Sequence, residues 1–375
     1  MISVVSVLLD ATSIPASRGG VARYIAGLLQ GLDEGGTALT VVVKGADRAW
    51  LSERAPGHRY VVAPGLVSVR PLRLLWEQLG LPVLARRLDL DRLHCPHYTF
   101  PLVWAGRSVV TLHDATFFSE PAAHGRLKRT FFRTWIRLAR RWSRSTLTPS
   151  QATATEISRF VPRGVPSAVA PLGVDRELFH RPDAAELGAF RAAHGLSPDD
   201  RWIAFLGTVE PRKSVPALIR AHERLLSTRL GTPPLLVAGG LGWDTEAVAS
   251  LRSAGDRPGA PLRYLGYLPL EQLAAFLGGS VVVVYPSTGE GFGLPVLEAM
   301  ASGGAVLTTR RLAVPEVAGD AAAYTEPDDA SIERALAALL DDDAERSRLV
   351  ADGERRSADF TWRRCAAIHE TVYAA

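Results

Sequence analysis

Two glutamates stand eight residues apart around a glycine-rich turn, in the segment Tyr285-Pro-Ser-Thr-Gly-Glu-Gly-Phe-Gly-Leu-Pro-Val-Leu-Glu298. A hydrophobic run, Val281–Tyr285, precedes the glycines, and Pro295 follows them at a position typical of the first turn of a helix. A strand, a glycine turn and a helix in this order favour phosphate binding, because free backbone N–H groups and the positive end of the helix dipole point at the anion. Glu290 in the turn is then placed to reach a sugar, and Glu298 in the helix to reach a ribose diol.

Two adjacent cations, Arg212 and Lys213, follow a second predicted strand, Trp202–Gly207. Taken alone, such a pair is most often the solvated start of a helix. In doubly wound sheets, however, ligands bind at the carboxyl ends of the strands, so we expect this turn and the glutamate turn at one edge. Arginine grips phosphate oxygens as a planar fork and lysine as a point charge. Together they can neutralise a diphosphate leaving group without a metal.

Short apolar runs recur along the chain, each followed by a polar or glycine turn. They are apolar throughout rather than alternating, which is typical of parallel strands covered on both faces. The runs are Ser3–Leu9, Leu39–Val43, Ser108–Leu112, Ser145–Thr148, Trp202–Gly207, Leu235–Ala238, Arg263–Leu265, Val281–Tyr285 and Ala305–Thr308. Helical patterns such as Val21–Asp33, Val215–Ser227 and Leu294–Ala301 alternate with them. The sequence therefore predicts an α/β fold in which a doubly wound arrangement occurs twice.

The length of 375 residues exceeds one ordinary core and fits two domains. We predict an N-terminal domain at residues 1–175 and a C-terminal domain at 185–358, with a terminal helix in 360–375 packing back on the first domain. Only Cys95 and Cys365 occur, far apart, so the sequence indicates no disulfide framework. The absence of a signal-peptide pattern and of an apolar run of roughly 18 residues predicts a cytoplasmic protein.

The two motifs occur together with Pro315-Glu316-Val-Ala-Gly-Asp320 near the end of the predicted second domain. The N-terminal half adds the segments Gly19-Gly20-Val-Ala-Arg-Tyr24, Val110-Thr-Leu-His113-Asp114, Thr148-Pro-Ser150 and Pro171-Leu-Gly-Val-Asp175. In this set the chain resembles, over nearly its whole length, family 4 of the retaining glycosyltransferases, which includes bacterial mannosyltransferases. The resemblance implies the GT-B fold, with two Rossmann-like domains facing a central cleft. It also implies transfer of a hexose from a nucleotide-sugar donor.

The resemblance further implies a role for each matching residue. Arg212 and Lys213 would hold the donor diphosphate. Glu290 would contact the donor sugar, and Glu298 the ribose hydroxyls. His113 would hydrogen-bond the transferred sugar from the opposite side of the cleft. Residues at glycine turns and helix starts would complete donor binding, namely Gly19, Gly20, Gly207, Phe292, Gly293 and Leu294.

The donor, the metal requirement and the class of activity are less closely specified. GDP-mannose is the first candidate donor, with UDP-glucose, UDP-N-acetylglucosamine and dTDP-rhamnose as alternatives. The chain departs from the family pattern at Ser214, where many family members have Asn. No metal or other cofactor is expected, because the acids of Asp89-Leu90-Asp91 are too few for a hard cation and suit capping or ion pairing. The same fold also serves sugar-nucleotide epimerases, and it would suit a non-catalytic sugar-nucleotide-binding subunit.

Residues 126–144 contain eight basic residues and no acidic one. In helical projection six arginines form a stripe: Arg126, Arg129, Arg133, Arg137, Arg140 and Arg144. Opposite this stripe lie Leu127, Phe131, Trp135, Leu138 and Trp142. We expect the aromatic face to pack into the first domain and the arginines to stay in water. The stripe also suits anionic lipid headgroups, which would bring the protein to the inner membrane face. The expected acceptor is a glycan, a lipid-linked molecule or a small molecule, and nucleic acid is not an expected partner.

Overall fold

The computed structural model describes residues 5–15, 18–121, 124–165 and 167–375. The chain divides into two units, Met1–Gly173 with Phe360–Ala375, and Val174–Asp359. Each unit contains a parallel sheet with helices in the connections between strands. The predicted α/β class with two doubly wound sheets is therefore confirmed.

The described part of the first unit contains one seven-stranded parallel sheet. Its strands are β1 Val7–Asp10, β2 Thr40–Val43, β3 Arg59–Val62, β4 Arg92–Cys95, β5 Ser108–Thr111, β6 Ser145–Thr148 and β7 Ser167–Val169. Its helices are α1 Gly20–Glu34, α2 Gly45–Arg54, α3 Arg70–Arg87, α4 Thr116–Ser119, α5 Arg126–Trp142, α6 Gln151–Phe160 and the C-terminal α15 Trp362–Ala374. The strand order β3-β2-β1-β4-β5-β6-β7 changes direction between β1 and β4, which is where doubly wound sheets bind ligands.

The helices of the first unit lie in two layers, one on each face of the sheet. Right-handed crossovers place α1 and α2 on one face and α3, α5 and α6 on the other. One buried apolar cluster accordingly contains Leu81 and Ala85 from α3, Ile136 and Ala139 from α5, and Ile157 from α6. The helices α3 and α5 therefore belong to the same layer.

The C-terminal helix α15 packs against α1. A Cβ atom at Gly27 would lie 2.0 Å from the indole of Trp362, and one at Gly31 would lie 2.2 Å from the Trp362 carbonyl oxygen. Both positions therefore require glycine, because the two helices approach too closely for a side chain. The Arg363 guanidinium donates to Glu370 Oε1 at 3.0 Å, and Thr37 Oγ1 donates to the same oxygen at 2.8 Å.

The second unit, which the structure describes throughout, contains a six-stranded parallel sheet in the order β10-β9-β8-β11-β12-β13. Its strands are β8 Ile203–Leu206, β9 Leu235–Ala238, β10 Leu262–Gly266, β11 Val282–Tyr285, β12 Val306–Thr308 and β13 Ala323–Tyr324. Its helices are α7 Ala184–Ala193, α8 Val215–Thr228, α9 Thr245–Ala254, α10 Leu273–Gly278, α11 Leu294–Ala301, α12 Val314–Ala318, α13 Asp329–Asp341 and α14 Asp343–Ser357. The strands β8, β9 and β11 are buried at every residue, as expected for a sheet covered on both faces.

The apolar runs of the sequence do not predict four strands of the two sheets, namely β3, β4, β7 and β13. The strand β3 lies at the sheet edge and is half exposed, and β7 and β13 have only three and two residues. The strand β4 contains His94, which is buried because Thr111 Oγ1 lies 2.9 Å from its Nε2 and Tyr373 Oη lies 2.7 Å from its Nδ1. A search for apolar runs does not detect a strand whose buried position is polar.

The helix α5 differs from its sequence-based description in two respects. Leu127 and Trp142 were expected to pack inward, but their exposed fractions are 87% and 53%. Arg140 was expected in water, but it is buried beside Ile136 and Ala139 and donates to the Val161 carbonyl oxygen at 3.5 Å. Leu127 and Trp142 lie in the first and last turns of the helix. Arg140 is also in the last turn, but the segment after α6 contacts it there, and the Val165 N–H donates to its carbonyl oxygen at 2.7 Å.

The acidic motifs have local structural partners. Asp91 accepts hydrogen bonds from the backbone N–H and the hydroxyl of Ser6 at 2.9 and 2.8 Å. Asp342 caps the start of α14 by accepting from the Glu345 N–H at 2.8 Å. Among the described residues, no three His, Cys, Asp or Glu side chains converge as a metal site would require. No helix in the same described ranges combines the length and apolarity needed to cross a membrane.

Candidate active site

The two motifs of the second unit meet because β8 and β11 are neighbours. Ile203 of β8 pairs with Val282 of β11, so the turn after one strand lies beside the turn after the other. The Thr288 N–H donates to the Arg212 carbonyl oxygen at 2.7 Å, and Ser287 Oγ donates to the same oxygen at 3.1 Å. These bonds hold the Arg212–Lys213 turn against the glycine-rich loop.

A buried cluster forms around the Glu290 carboxylate. Its Oε1 atom accepts a hydrogen bond from Arg212 Nη1 at 2.6 Å, from Ser287 Oγ at 2.7 Å and from Tyr285 Oη at 3.0 Å. The Lys213 ammonium donates to the same oxygen and lies 4.3 Å from the centre of the Tyr285 ring. Glu290 is 8% exposed and Lys213 5%. We call these five residues the Glu290 cluster.

The ionisation of the Glu290 cluster follows from burial and mutual charge. Burial lowers the pKa of Lys213 to about 8, Arg212 adds to this shift, and Glu290 opposes it. Burial alone would raise the pKa of Glu290, but Arg212 and Lys213 outweigh burial and hold that pKa at about 2. At neutral pH the carboxylate is therefore ionised and the lysine is mainly protonated.

A second carboxylate, Glu210, balances the remaining positive charge. Its Oε2 accepts from Arg212 Nε at 3.0 Å, while Arg212 Nη1 also donates to the Gly289 carbonyl oxygen at 3.0 Å. The two cations thus face two carboxylates. An entering diphosphate can replace carboxylate oxygens around Arg212 and Lys213 without leaving a buried cation unpaired. No sequence pattern indicates a role for Glu210, Tyr285 or Ser287, although all three lie within the two motifs or directly beside them.

The glycine-rich loop leads into the N-terminus of α11. Gly293 is the N-cap and has φ 103° and ψ 41°, a conformation that a residue with a Cβ adopts only under strain. Phe292 and Leu294 are buried on either side of it. Because the first N–H groups of a helix lack intrahelical acceptors, this end of α11 favours an anion beside the Glu290 cluster. Glu298 is buried in the second turn of the same helix.

The backbone near β8 is closely packed. Gly207 follows β8 directly, and a Cβ atom at Gly239 would lie 2.3 Å from the Gly207 carbonyl oxygen. The two strand ends therefore approach closely beside the Arg212–Lys213 turn. Ser214 has a left-handed backbone, with φ 50° and ψ 33°. Asparagine tolerates this conformation better than most residues, which gives a physical reason for the Asn that many family members have there.

In the first unit, Gly19 and Gly20 lie at the N-terminus of α1, where Gly19 is the N-cap. A Cβ atom at either position would have no neighbour within 4 Å. Packing within the described structure therefore does not require glycine at either position. This open space is what the predicted close approach of a ligand needs.

His113 follows β5, in the first unit. Its Nε2 donates to the Pro96 carbonyl oxygen at 2.6 Å, because a carbonyl oxygen can only accept. Burial lowers the pKa of His113, against the opposing effects of Pro96 and Asp114, so the ring is neutral at physiological pH and its Nδ1 carries the lone pair. The Tyr24 ring lies edge-on at 5.1 Å between centroids. Asp114 accepts from Thr116 N and Oγ1 at 3.0 and 2.7 Å and so orders the following turn.

Comparison with known sequences identifies the family. Residues 18–178 match the description Glycosyltransferase Family 4, and residues 188–356 match Glycosyl transferases group 1. The O-antigen chain mannosyltransferase B of Escherichia coli is 31% identical over 262 residues, which are 69% of this chain and 68% of that protein. The chain belongs to the family 4 glycosyltransferases. It is a hexosyltransferase by this membership.

Two further comparisons place this glycosyltransferase among its relatives. The MMP α-(1→4)-mannosyltransferase of Mycolicibacterium hassiacum is 33% identical over 233 residues, which are 60% of this chain and 53% of that protein, so the match spans about half of that relative. The structure of Anabaena Alr3699/HepE in complex with UDP-glucose has a TM-score of 0.75, 18% identity, and coverage of 99% of this chain and 100% of that chain. The glycosyltransferase has the GT-B fold, as the resemblance implied.

Proposed function

We propose that this glycosyltransferase transfers mannose from GDP-mannose to an acceptor hydroxyl, with retention at the anomeric carbon and without a metal ion. The observation that carries the proposal is the Glu290 cluster, in which the buried Lys213 and the partly buried Arg212 lie beside the N-terminus of α11. This arrangement suits a diphosphate that gains negative charge as the glycosidic bond breaks. The two cations can supply the charge that a divalent ion supplies elsewhere.

The proposed chemistry depends on positioning and fixed charge. Glu290, with its pKa held at about 2, stays ionised and can place negative charge beside an oxocarbenium-like carbon. Its Oε1 is engaged by four donors, which argues against a role for that oxygen as a nucleophile. Arg212 and Lys213 would stabilise the departing nucleotide diphosphate, and Glu298 would bind the ribose. The neutral His113 would accept a hydrogen bond from a hydroxyl of the transferred sugar at Nδ1.

The choice of mannose rests on the relatives. Two of them are named mannosyltransferases, at 31% and 33% identity. UDP-glucose is the alternative, because Alr3699/HepE was solved with that nucleotide sugar.

The acceptor would be a glycan, a glycolipid or a small molecule. Contact of residues 126–144 with an anionic membrane stays a prediction.

The proposal is tested by thermal shift of the purified protein against GDP-, UDP- and dTDP-sugars in EDTA. A ligand at a hundredfold excess over its dissociation constant stabilises the native state by about 2.7 kcal/mol. We expect GDP-mannose to give this shift. A shift with UDP-glucose alone would show that UDP-glucose, and not GDP-mannose, is the donor. A shift that appears only when Mg²⁺ is added would contradict a metal-free site. NMR of the donor without an acceptor identifies an epimerase, which would convert the sugar, whereas a transferase would not.

A further inference from the structure

The helix α3 presents a ridge of apolar side chains to solvent. Leu72, Leu75, Leu79 and Val83 recur at steps of three, four and four residues, so they share one face of the helix. Their exposed fractions lie between 43% and 64%. The opposite face is the one that packs, since Glu77, Leu81 and Ala85 are buried. We call the four exposed residues the α3 ridge.

A neighbouring segment widens this apolar surface. Gln78 of α3 donates to the Phe100 carbonyl oxygen at 2.9 Å, and the Leu102 N–H donates to Gln78 Oε1 at 3.1 Å. These two bonds fix residues 100–102 beside the α3 ridge. Leu102 and Val103 are also exposed, Val103 to 71%. Soluble proteins seldom leave a contiguous apolar surface of this kind exposed unless something binds there.

The charges around the α3 ridge are mainly positive. Within residues 62–107, all of which the structure describes, the exposed charged side chains are Arg70, Arg86, Arg87, Asp89, Asp91 and Arg107. Four are cations, and Asp91 is engaged by Ser6. The helix α5 belongs to the same layer and adds further exposed cations, namely Arg126, Lys128, Arg137 and Arg141. Residues 125–145 contain no acidic residue.

We propose that the α3 ridge docks on an anionic lipid bilayer, with its leucines and valine at the level of the headgroups and upper acyl chains. A helix that binds a membrane surface lies flat, with its apolar face buried and its basic residues at the phosphates. Long arginine side chains reach outward from the ends of an apolar face in this way. Arg70 at the start of α3 and Arg86 with Arg87 at its end satisfy this requirement. A protein partner of ordinary composition would not need cations at both ends.

This inference goes beyond the proposed transfer reaction and does not depend on the donor. It also changes the surface expected from the sequence, because residues 126–144 supply charge while the apolar anchor lies on α3. Docking by this layer of the first unit would bring the enzyme to acceptors held in a membrane. The structure therefore points to a lipid-linked acceptor as the class to test first.

The test is co-sedimentation of the full chain with vesicles of phosphatidylglycerol and phosphatidylcholine, compared with phosphatidylcholine alone. We expect binding to the anionic vesicles, and a loss of at least tenfold in Leu75→Glu/Leu79→Glu. Arg86→Glu/Arg87→Glu should lose the preference for anionic lipid. The control is Leu230→Glu, which makes the same type of substitution once, at a fully exposed leucine of the second unit, and should bind like the wild type.

Two further measurements keep the result decisive. Thermal unfolding checks that the variants fold, and Leu75→Ser/Leu79→Ser replaces the glutamate pair if that variant does not. Wild-type protein that shows no preference for anionic vesicles, or a ridge variant that binds as the wild type does, would overturn the proposal. A dimer that the ridge variant dissociates, in the absence of vesicle binding, would show instead that the ridge is a protein interface. Donor binding is measured separately without lipid, so failure of one proposal leaves the other intact.

Discussion

At the scale of single residues, Glu290 is the centre on which the donor site depends. Its Oε1 joins both predicted cations to Tyr285 and Ser287 in one buried network. Removing the carboxylate would leave Arg212 and Lys213 close together with less compensating charge, which is costly in a buried place. The carboxylate thus has two functions, which are to hold the cations in place before the donor arrives and to face the sugar afterwards.

The pH dependence of diphosphate binding tests this arrangement. Because Lys213 binds an anion only when protonated and its pKa is about 8, affinity for GDP should fall as pH rises above 8. The Glu290 carboxylate raises the pKa of Lys213, so Glu290→Gln should move the decline to lower pH. Isothermal titration of GDP between pH 6.5 and pH 9.5 measures both curves. These limits lie about 1.5 units on either side of the pKa of Lys213.

The control for this experiment is Glu246→Gln. Glu246 is exposed and pairs with Arg220 at the surface, so its loss should leave the curve unchanged. If the affinity of Glu290→Gln for GDP declines at the same pH as that of the wild type, Lys213 is not the group whose charge governs binding.

The sequence predicted part of this residue-level picture. Arg212, Lys213 and Glu290 can be recognised in the sequence because they follow predicted strands and match a family pattern. That the carboxylate pairs with both cations could not be predicted, since the pairing depends on how two loops distant in sequence are held together. In the sequence pattern Tyr285 is only the end of an apolar strand, and the pattern does not indicate a role for its hydroxyl.

At the scale of elements, the strand–loop–helix unit around α11 has a conformational requirement that can be measured. Gly293→Ala should destabilise the second unit by about 1–3 kcal/mol, because φ 103° strains any residue with a Cβ. Gly20→Ala is the matched comparison, since its Cβ has open space at the start of α1. It should change the stability by less than about 0.5 kcal/mol. Chemical denaturation of both variants provides the measurement.

The comparison also separates two uses of glycine. A loss of donor affinity in Gly20→Ala at unchanged stability would support the predicted ligand contact of that turn. Equal stability of Gly293→Ala and the wild type would contradict the strained N-cap.

The helix α5 shows the limit of periodicity as a guide to burial. A repeat of three and four residues correctly groups side chains on one face. How deep each turn lies depends on the neighbouring helices, which the repeat does not specify. Leu127 and Trp142 share a face with Phe131 and Trp135, yet the first two are exposed because they lie at the helix ends. Arg140 is in the last turn too, but it is buried because residues 161–165 contact it there.

At the scale of the whole molecule, the C-terminal helix α15 joins the first unit through a chain of buried hydrogen bonds. His369 Nδ1 donates to the Cys365 carbonyl oxygen at 2.8 Å, so its Nε2 accepts from Tyr24 Oη at 2.9 Å. Thr111 Oγ1 lies 2.9 Å from Tyr24 Oη and also 2.9 Å from His94 Nε2. Burial lowers the pKa values of both histidines, that of His369 to about 4. These hydrogen bonds therefore run in one direction through neutral side chains, and every side chain in the series has a partner.

The two-domain organisation could be predicted from the sequence because strand and helix patterns repeat along the chain. The polar contacts of α15 could not be predicted, because Tyr24, His94 and His369 lie far apart in sequence and each is an ordinary residue in its own segment. The family comparison covers both units, which explains why the fold could be identified more closely than the donor.

The most direct test of the central claim is titration of GDP, UDP and dTDP, in EDTA, into the wild type and Arg212→Met/Lys213→Met. Arg220→Met removes an exposed arginine of the same unit and serves as the control. We predict that one nucleotide diphosphate binds the wild type and the control equally, and that the double variant binds it at least a hundredfold more weakly, a loss of about 2.7 kcal/mol. Unchanged affinity in the double variant, or binding that requires Mg²⁺, would contradict a metal-free diphosphate site at Arg212 and Lys213.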